Sequence, residues 1–214
     1  MQRFSSREPP SDCPLCLRLA DFRHENRARF PDHFNDPVPT FGPHDARLLI
    51  VGLAPGLHGA NRTGRPFTGD YAGVLLYGTL TKLGLARGAY GECTDDGLEL
   101  IDCAITNAVR CVPPGNKPQP AESNTCRPFL QATIDSMPKL RAVLALGRIA
   151  HDSICTALAV PRKDHAFAHG ARHTLPQFTL FSSYHCSRLN TNTGVLTTAM
   201  FEQVLAAARD AALA

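Results

Sequence analysis

At 214 residues the chain can bury a core without disulfide staples and is the length of one α/β domain. Its net charge of +3 permits a nucleic acid partner without announcing one. The opening Met1-Gln-Arg-Phe-Ser is polar, unlike a signal peptide, and the apolar runs are too short to span a bilayer. A cytoplasmic protein with no membrane partner is expected, and eight cysteines there point to metal or catalysis rather than to a disulfide framework.

Residues 1–46 read as an N-terminal extension of a single domain covering 1–214, rich in Pro, Asp and Arg, with a short helix at about 15–26. It carries Cys13-Pro-Leu-Cys16, a spacing used by redox pairs and by half-sites for zinc or iron–sulfur. Leu48-Leu49-Ile50-Val51 reads as a buried strand. The loop that follows, 52–70, holds five glycines together with His58, Asn61, Arg62, Arg65, Phe67 and Asp70. A plain connection is shorter and chemically poorer, so this loop reads as a site.

Apolar spacing predicts a helix over 72–83, then a turn-rich insertion at 88–97 and a second strand at 103–107. The segment from Val109 through Cys111, Pro113, Pro114 and Gly115 forbids regular structure. A helix at 121–137, a third strand at 142–146 and a helix at 148–158 follow. Residues 161–174 form a basic, histidine-rich loop, 178–182 a fourth strand, 184–194 a polar loop and 196–212 a terminal helix. Four alternations of strand and helix predict a three-layer α/β/α fold around a mainly parallel four-stranded sheet.

Ligands in such sheets bind beyond the carboxyl ends of the strands. Those ends deliver Phe67, Asp70, Asn107, His185 and Asn190 to one edge. An aromatic ring, an amide that both donates and accepts, and a histidine donor suit a planar heterocycle. The chain has no G-x-G-x-x-G with a later acid and no G-x-x-x-x-G-K-[ST], which argues against dinucleotides and nucleoside triphosphates. Nor does an H-x-E precede the C-x-x-C, as a zinc deaminase requires. Cys13 and Cys16 need two further ligands, which Cys111 and Cys126 can supply; zinc and a [4Fe–4S] cluster both accept four thiolates.

The stretch 52–70, GLAPGLHGANRTGRPFTGD, resembles the first motif of the uracil-DNA glycosylase superfamily in its family 5 (type b) form. Residues 184–197, YHCSRLNTNTGVLT, are similar to that family's second motif, and 105–116, ITNAVRCVPPGN, to the block between them. The resemblance runs from about residue 12 to 200 and departs from the pattern at Cys186, where the second motif has proline. Leu53 and Ala54 stand where sister families carry a water-activating acid, an absence that family 5 shares.

The resemblance implies excision of uracil, and with it other deaminated or oxidised bases, from DNA by hydrolysis of the N-glycosidic bond. It implies a base pocket built from Gly52, Ala54, Gly56, His58, Asn61, Phe67 and Asn107, with Phe67 stacking on the base and Asn107 on its edge. It makes His185 the donor to O2, Asp70 the water-positioning carboxylate and Asn190 its helper. Leu189 becomes the wedge left in the base stack; Arg62, Arg65, Arg188 and the loop 162–173 become phosphate contacts. It favours [4Fe–4S] over zinc for Cys13, Cys16, Cys111 and Cys126, tying the N-terminal segment down, and a protein acting as a monomer. The alternative is a catalytically silent metal-bearing reader of damaged DNA, supported by Cys186 and the missing carboxylate. A hydrolase of free nucleosides would need neither the basic loop nor Leu189.

Overall fold

The computed structural model describes residues 7–214; the opening polar residues of the extension lie outside them. Three strands are buried along their whole length: β1 (Leu48–Gly52), β4 (Cys103–Asn107) and β5 (Ala142–Leu146). The sheet is completed by β7 (Thr179–Ser183) and β6 (Arg172–Thr174), in the order β4-β1-β5-β7-β6. The first four are parallel and β6 is antiparallel to β7.

Successive side chains along each strand point to opposite faces, and both faces are covered. Leu48, Ile50, Cys103, Ile105, Leu144 and Phe181 face α3 (Tyr71–Lys82) and α7 (Thr198–Leu213), packing with Leu76, Leu80, Phe201 and Leu205. Leu49, Val51, Ala104, Val143, Ala145 and Leu180 face α4 (Pro120–Asp135) and α5 (Arg148–Ala157), packing with Leu130, Ile134 and Ile154. This is the expected three-layer α/β/α arrangement with one strand more than expected. The added strand, Arg-His-Thr, has two exposed residues of three and no apolar signal, as a guarded sheet edge requires.

Two further elements fall in stretches expected to be irregular. β2 (Ala86–Arg87) and β3 (Glu99–Leu100) form a small antiparallel hairpin around the insertion 88–98. The short helix α6 (Arg188–Asn192) sits inside the second polar loop, capped by Ser187, whose Oγ accepts the Asn190 N–H. The remaining short helix, α2 (Ala60–Thr63), lies within the loop 52–70.

In the extension, α1 (Leu17–Arg29) docks by hydrogen bonds and ion pairs of its own. Arg18 Nε pairs with Glu122 Oε1 at 2.7 Å, the acid that also forms the capping box of α4 with Gln119. Phe41 bridges Ile105 in β4, and Val38 N–H donates to the Arg110 carbonyl at 2.8 Å. Residues 7–46 are therefore fastened to the domain by contacts of the polypeptide itself.

Candidate active site

Register places the site. Gly52, last in β1, lies directly beside Asn107, last in β4, and Ser183, last in β7, leads to His185 two residues on. A pocket of about 380 Å³ opens at these strand ends, lined by Ala54, Gly56, Phe67, Asp70, Asn107 and His185. Leu53, Ala60, Tyr71, Ala72, Asn116, Ser187 and Arg188 complete its wall.

Gly52 lies under the pocket and does not line it. A Cβ there would sit 2.4 Å from Asn107 Oδ1 and 2.6 Å from Phe67 Cζ, so only glycine lets amide and ring close over the strand end. Phe67 is 6 % exposed and Asn107 2 %. The Phe67 ring stacks toward the His185 ring, centroids 5.9 Å apart and planes 28° from parallel. Aromatic floor, amide edge and imidazole thus meet from three strand ends.

Asp70 caps α3, its Oδ1 accepting the Gly73 N–H at 3.3 Å. The other carboxylate oxygen sits in a glycine cradle: a Cβ on Gly59 would lie 2.5 Å from Oδ2, one on Gly56 3.5 Å. Burial raises the Asp70 pKa above 3.8, and the Gly73 and Ala72 backbone N–H groups oppose that rise. Burial also pushes His185 down to about 4, so its imidazole is neutral at pH 7 and offers one N–H. Beneath them Cys186 is fully buried, its thiol pushed up to about 12 by burial and by the Asp70 charge.

Besides Gly52, four expected site residues, Asn190, Asn61, His58 and Arg65, sit elsewhere. Asn190 turns its Nδ2 onto the His185 carbonyl at 2.8 Å, so it holds the histidine's backbone and does not face the pocket. Asn61 is 1 % exposed and donates to Asn35 Oδ1 at 2.9 Å, stitching the loop to the extension. His58 is exposed outside the pocket, edge-on to Phe30 and His33.

Arg65 is the clearest correction to the phosphate set. Its side chain and that of Asp96 are each 4 % exposed and joined by a two-pronged ion pair of 2.9 and 2.7 Å. The guanidinium lies within 5.2–5.8 Å of the Phe41, Tyr77 and Tyr90 ring centroids. A cation so enclosed cannot meet DNA; it braces the loop from behind.

Arg62 and Arg188 remain exposed, Arg188 resting 5.2 Å over the Tyr71 ring at the pocket mouth. Leu189 beside it, in α6, is 71 % exposed, a large apolar side chain turned to solvent. Much of the basic loop 162–173 is engaged internally: Arg162 pairs with Asp152 at 3.4 Å, and His165 and His173 donate to the carbonyls of Pro161 and Ala166.

Sequence reasoning gave no pocket role to Tyr71, Ser187 or Asn116. Asn116 arrives through the Pro-rich turn, at φ +57°, with Oδ1 accepting the Leu57 N–H at 3.3 Å. The signal was Gly115-Asn116 at a forced turn, where asparagine tolerates a left-handed backbone.

Cys13, Cys16, Cys111 and Cys126 ring one small apolar cavity with Leu19, Val109 and Phe129. The Arg110 N–H donates to Cys126 Sγ at 3.4 Å, and Arg23 Nη1 reaches Cys111 Sγ at 3.7 Å. Burial raises Cys16 to about 11 and Cys111 to about 12, with Arg23 opposing it at Cys111. Among the described residues no group of three or more His, Cys, Asp or Glu is set to hold a metal ion.

A model of the uracil DNA glycosylase superfamily matches residues 39–209. The chain is 44 % identical over 203 residues to a type-5 uracil-DNA glycosylase of Thermus thermophilus, covering 92 % of each. It is 42 % identical to one from Mycobacterium leprae, covering 91 % of this chain and 89 % of the relative. A third, from Pyrobaculum aerophilum, is 38 % identical over 91 % of this chain and 86 % of its own length.

Proposed function

This chain belongs to the uracil DNA glycosylase superfamily, and from that premise we propose that it excises uracil from DNA and leaves an abasic site. It is a DNA repair hydrolase acting on an N-glycosyl bond, and the reaction follows from its own residues. The observation that carries the reading is the convergence of Phe67, Asn107, Asp70 and a neutral His185 on one pocket at the strand ends.

A base in a duplex cannot reach a pocket of this kind, so it is turned out of the stack, at a cost of roughly a few kcal/mol. Leu189, exposed at the mouth, fills the vacated space, while Arg62 and Arg188 meet phosphates on either side. The base stacks on Phe67, and the Asn107 amide pairs with its edge. As the bond from C1′ to the base nitrogen lengthens, its electron pair moves onto the base. The ring N–H of His185 donates to the base O2, where negative charge collects mainly in the transition state. Asp70 holds water below C1′ and offsets positive charge on the sugar. The water oxygen bonds to C1′, and its released proton leaves with the base. Asn190 acts through the His185 backbone.

The pocket is apolar where sister families place an acid, at Leu53 and Ala54, so catalysis depends on departure of the base. That dependence extends the range to other deaminated or oxidised bases with a weak glycosidic bond. We assign a [4Fe–4S] cluster to Cys13, Cys16, Cys111 and Cys126. The four cysteines line one apolar void, a thiolate set that either zinc or a cluster accepts, and the family resemblance favours the cluster. The cluster would supply folding energy to the extension. The protein acts as a cytoplasmic monomer.

The test is a single-turnover reaction on duplexes carrying uracil, with alkali converting abasic product to a strand break. Uracil release with breakage is expected. Tight binding of the uracil duplex with no break would make the protein a silent reader of damage.

A further inference from the structure

The hairpin β2–β3 carries residues 88–98, which no step of the reaction above uses. Two of its side chains nevertheless reach back into the loop 52–70. Asp96 takes the buried Arg65, as described. Tyr90 places its hydroxyl between Phe67 and Gly69, donating to the Phe67 carbonyl at 3.1 Å and accepting the Gly69 N–H at 3.2 Å. One oxygen therefore ties both peptide units that flank Thr68.

What it ties is strained. Phe67 has φ +55°, a left-handed backbone that an aromatic residue keeps only when its surroundings impose it. Its carbonyl occupies space that only a glycine at position 73 leaves open. A Cβ on Gly73 would lie 1.9 Å from the Phe67 oxygen and 2.3 Å from the Tyr90 hydroxyl. The Tyr90 ring is fixed in turn, stacked on Tyr77 with centroids 4.7 Å apart, while the Tyr77 hydroxyl donates to the Pro66 carbonyl at 2.6 Å. Residues on either side of the Phe67 α-carbon are thus gripped by tyrosine hydroxyls, one from the hairpin and one from α3.

We propose that Tyr90 is a positioning residue for base excision: its hydroxyl holds the backbone of Phe67 in the left-handed turn that presents the ring to the base. The proposal rests on the glycosylase reading. It makes the hairpin a working part of the site although it lies outside the strand ends and touches no substrate.

The test is Tyr90→Phe, which removes one oxygen and keeps the stack on Tyr77. Two readouts are taken. Amide exchange at Gly69, independent of any activity, should quicken by roughly tenfold with the loss of its acceptor. The single-turnover rate of uracil release should fall by roughly tenfold, while affinity for the uracil duplex changes by less than about twofold. Added to Phe67→Leu, the same change should cost less than about twofold, because its effect passes through the ring already removed.

Unchanged protection at Gly69, a Tyr90→Phe rate within about twofold of wild type, or a full loss persisting beside Phe67→Leu each overturns the proposal. Should the wild-type protein release no uracil, the glycosylase reading fails by itself, and Gly69 protection decides whether the Tyr90 hub exists.

Discussion

Gly52→Ala separates geometry from chemistry, because it adds one methyl group and deletes nothing. The methyl carbon would lie 2.4 Å from Asn107 Oδ1 and 2.6 and 2.7 Å from Phe67 Cζ and Cε2, where ordinary contact begins at 3.4 Å. Relief requires about 1 Å of movement by the amide, the ring or both, and a misplacement of that size near reacting atoms costs about 10²-fold in rate. Overpacking in a core costs about 1–3 kcal/mol, against a total stability of about 5–15 kcal/mol, so the protein should stay folded. Gly78→Ala serves as reference. Beyond the backbone of its own turn and its two chain neighbours, the added Cβ on α3 meets no described atom within 4 Å, and it should leave the rate unchanged or stabilise the helix by up to about 1 kcal/mol. Single-turnover uracil release and thermal melts on both variants make the comparison. A Gly52→Ala rate within about threefold of wild type, with the melt unchanged, would show that the pocket does not depend on this contact.

His185→Ala should lower the single-turnover rate by about 10²–10³-fold with duplex binding retained, as expected for loss of an oxyanion donor. Because His185 is already neutral down to about pH 4, the rate should show no inflection near 6.5; its acid limb should come from protonation of Asp70, at a pH above 3.8. Stability should respond to the same histidine with a definite sign. The unfolded imidazole takes up a proton near 6.5 and the folded one only near 4, so denaturant midpoints should fall as pH drops through that window, and fall less in His185→Gln, where His33, His151 and His169, also pushed down by burial, remain. Cys111→Ser should abolish broad visible absorption and expose residues 7–30 to protease, while the pocket residues keep their protection from exchange.

Leu48–Val51 and Ala142–Leu146 were legible as strands because an unbroken apolar run of four or five residues has few other uses; Cys103–Asn107 has a shorter run, Cys-Ala-Ile, before Thr106 and Asn107. The strand Arg172–Thr174 was not legible, since an edge strand needs only backbone pairing on one side and takes polar residues readily. The gathering of Phe67, Asp70, Asn107 and His185 followed from the rule that parallel strands present their carboxyl ends to ligands. Arg65 and Asn61 went astray for one reason. Within a loop read as a site, polar side chains look alike in sequence, and what distinguishes a ligand contact from a brace is a partner far along the chain. Asp96 is 31 residues from Arg65 and Asn35 is 26 from Asn61, distances that local spacing cannot register. Tyr90 was unreadable for the same reason.

The order of strands in the sheet also has a consequence for synthesis. β1 lies between β4 and β5, and β7 pairs with β5 and β6, so the pocket's parts leave the ribosome far apart in time. Phe67, Asp70 and Asn107 emerge early, whereas His185 and its support Asn190 follow Asn107 only after 78 and 83 further residues. At about 5–20 residues per second, a nascent chain spends seconds with its base floor present and its oxyanion donor still unmade. Cleavage therefore cannot precede β7, the strand from whose end His185 follows.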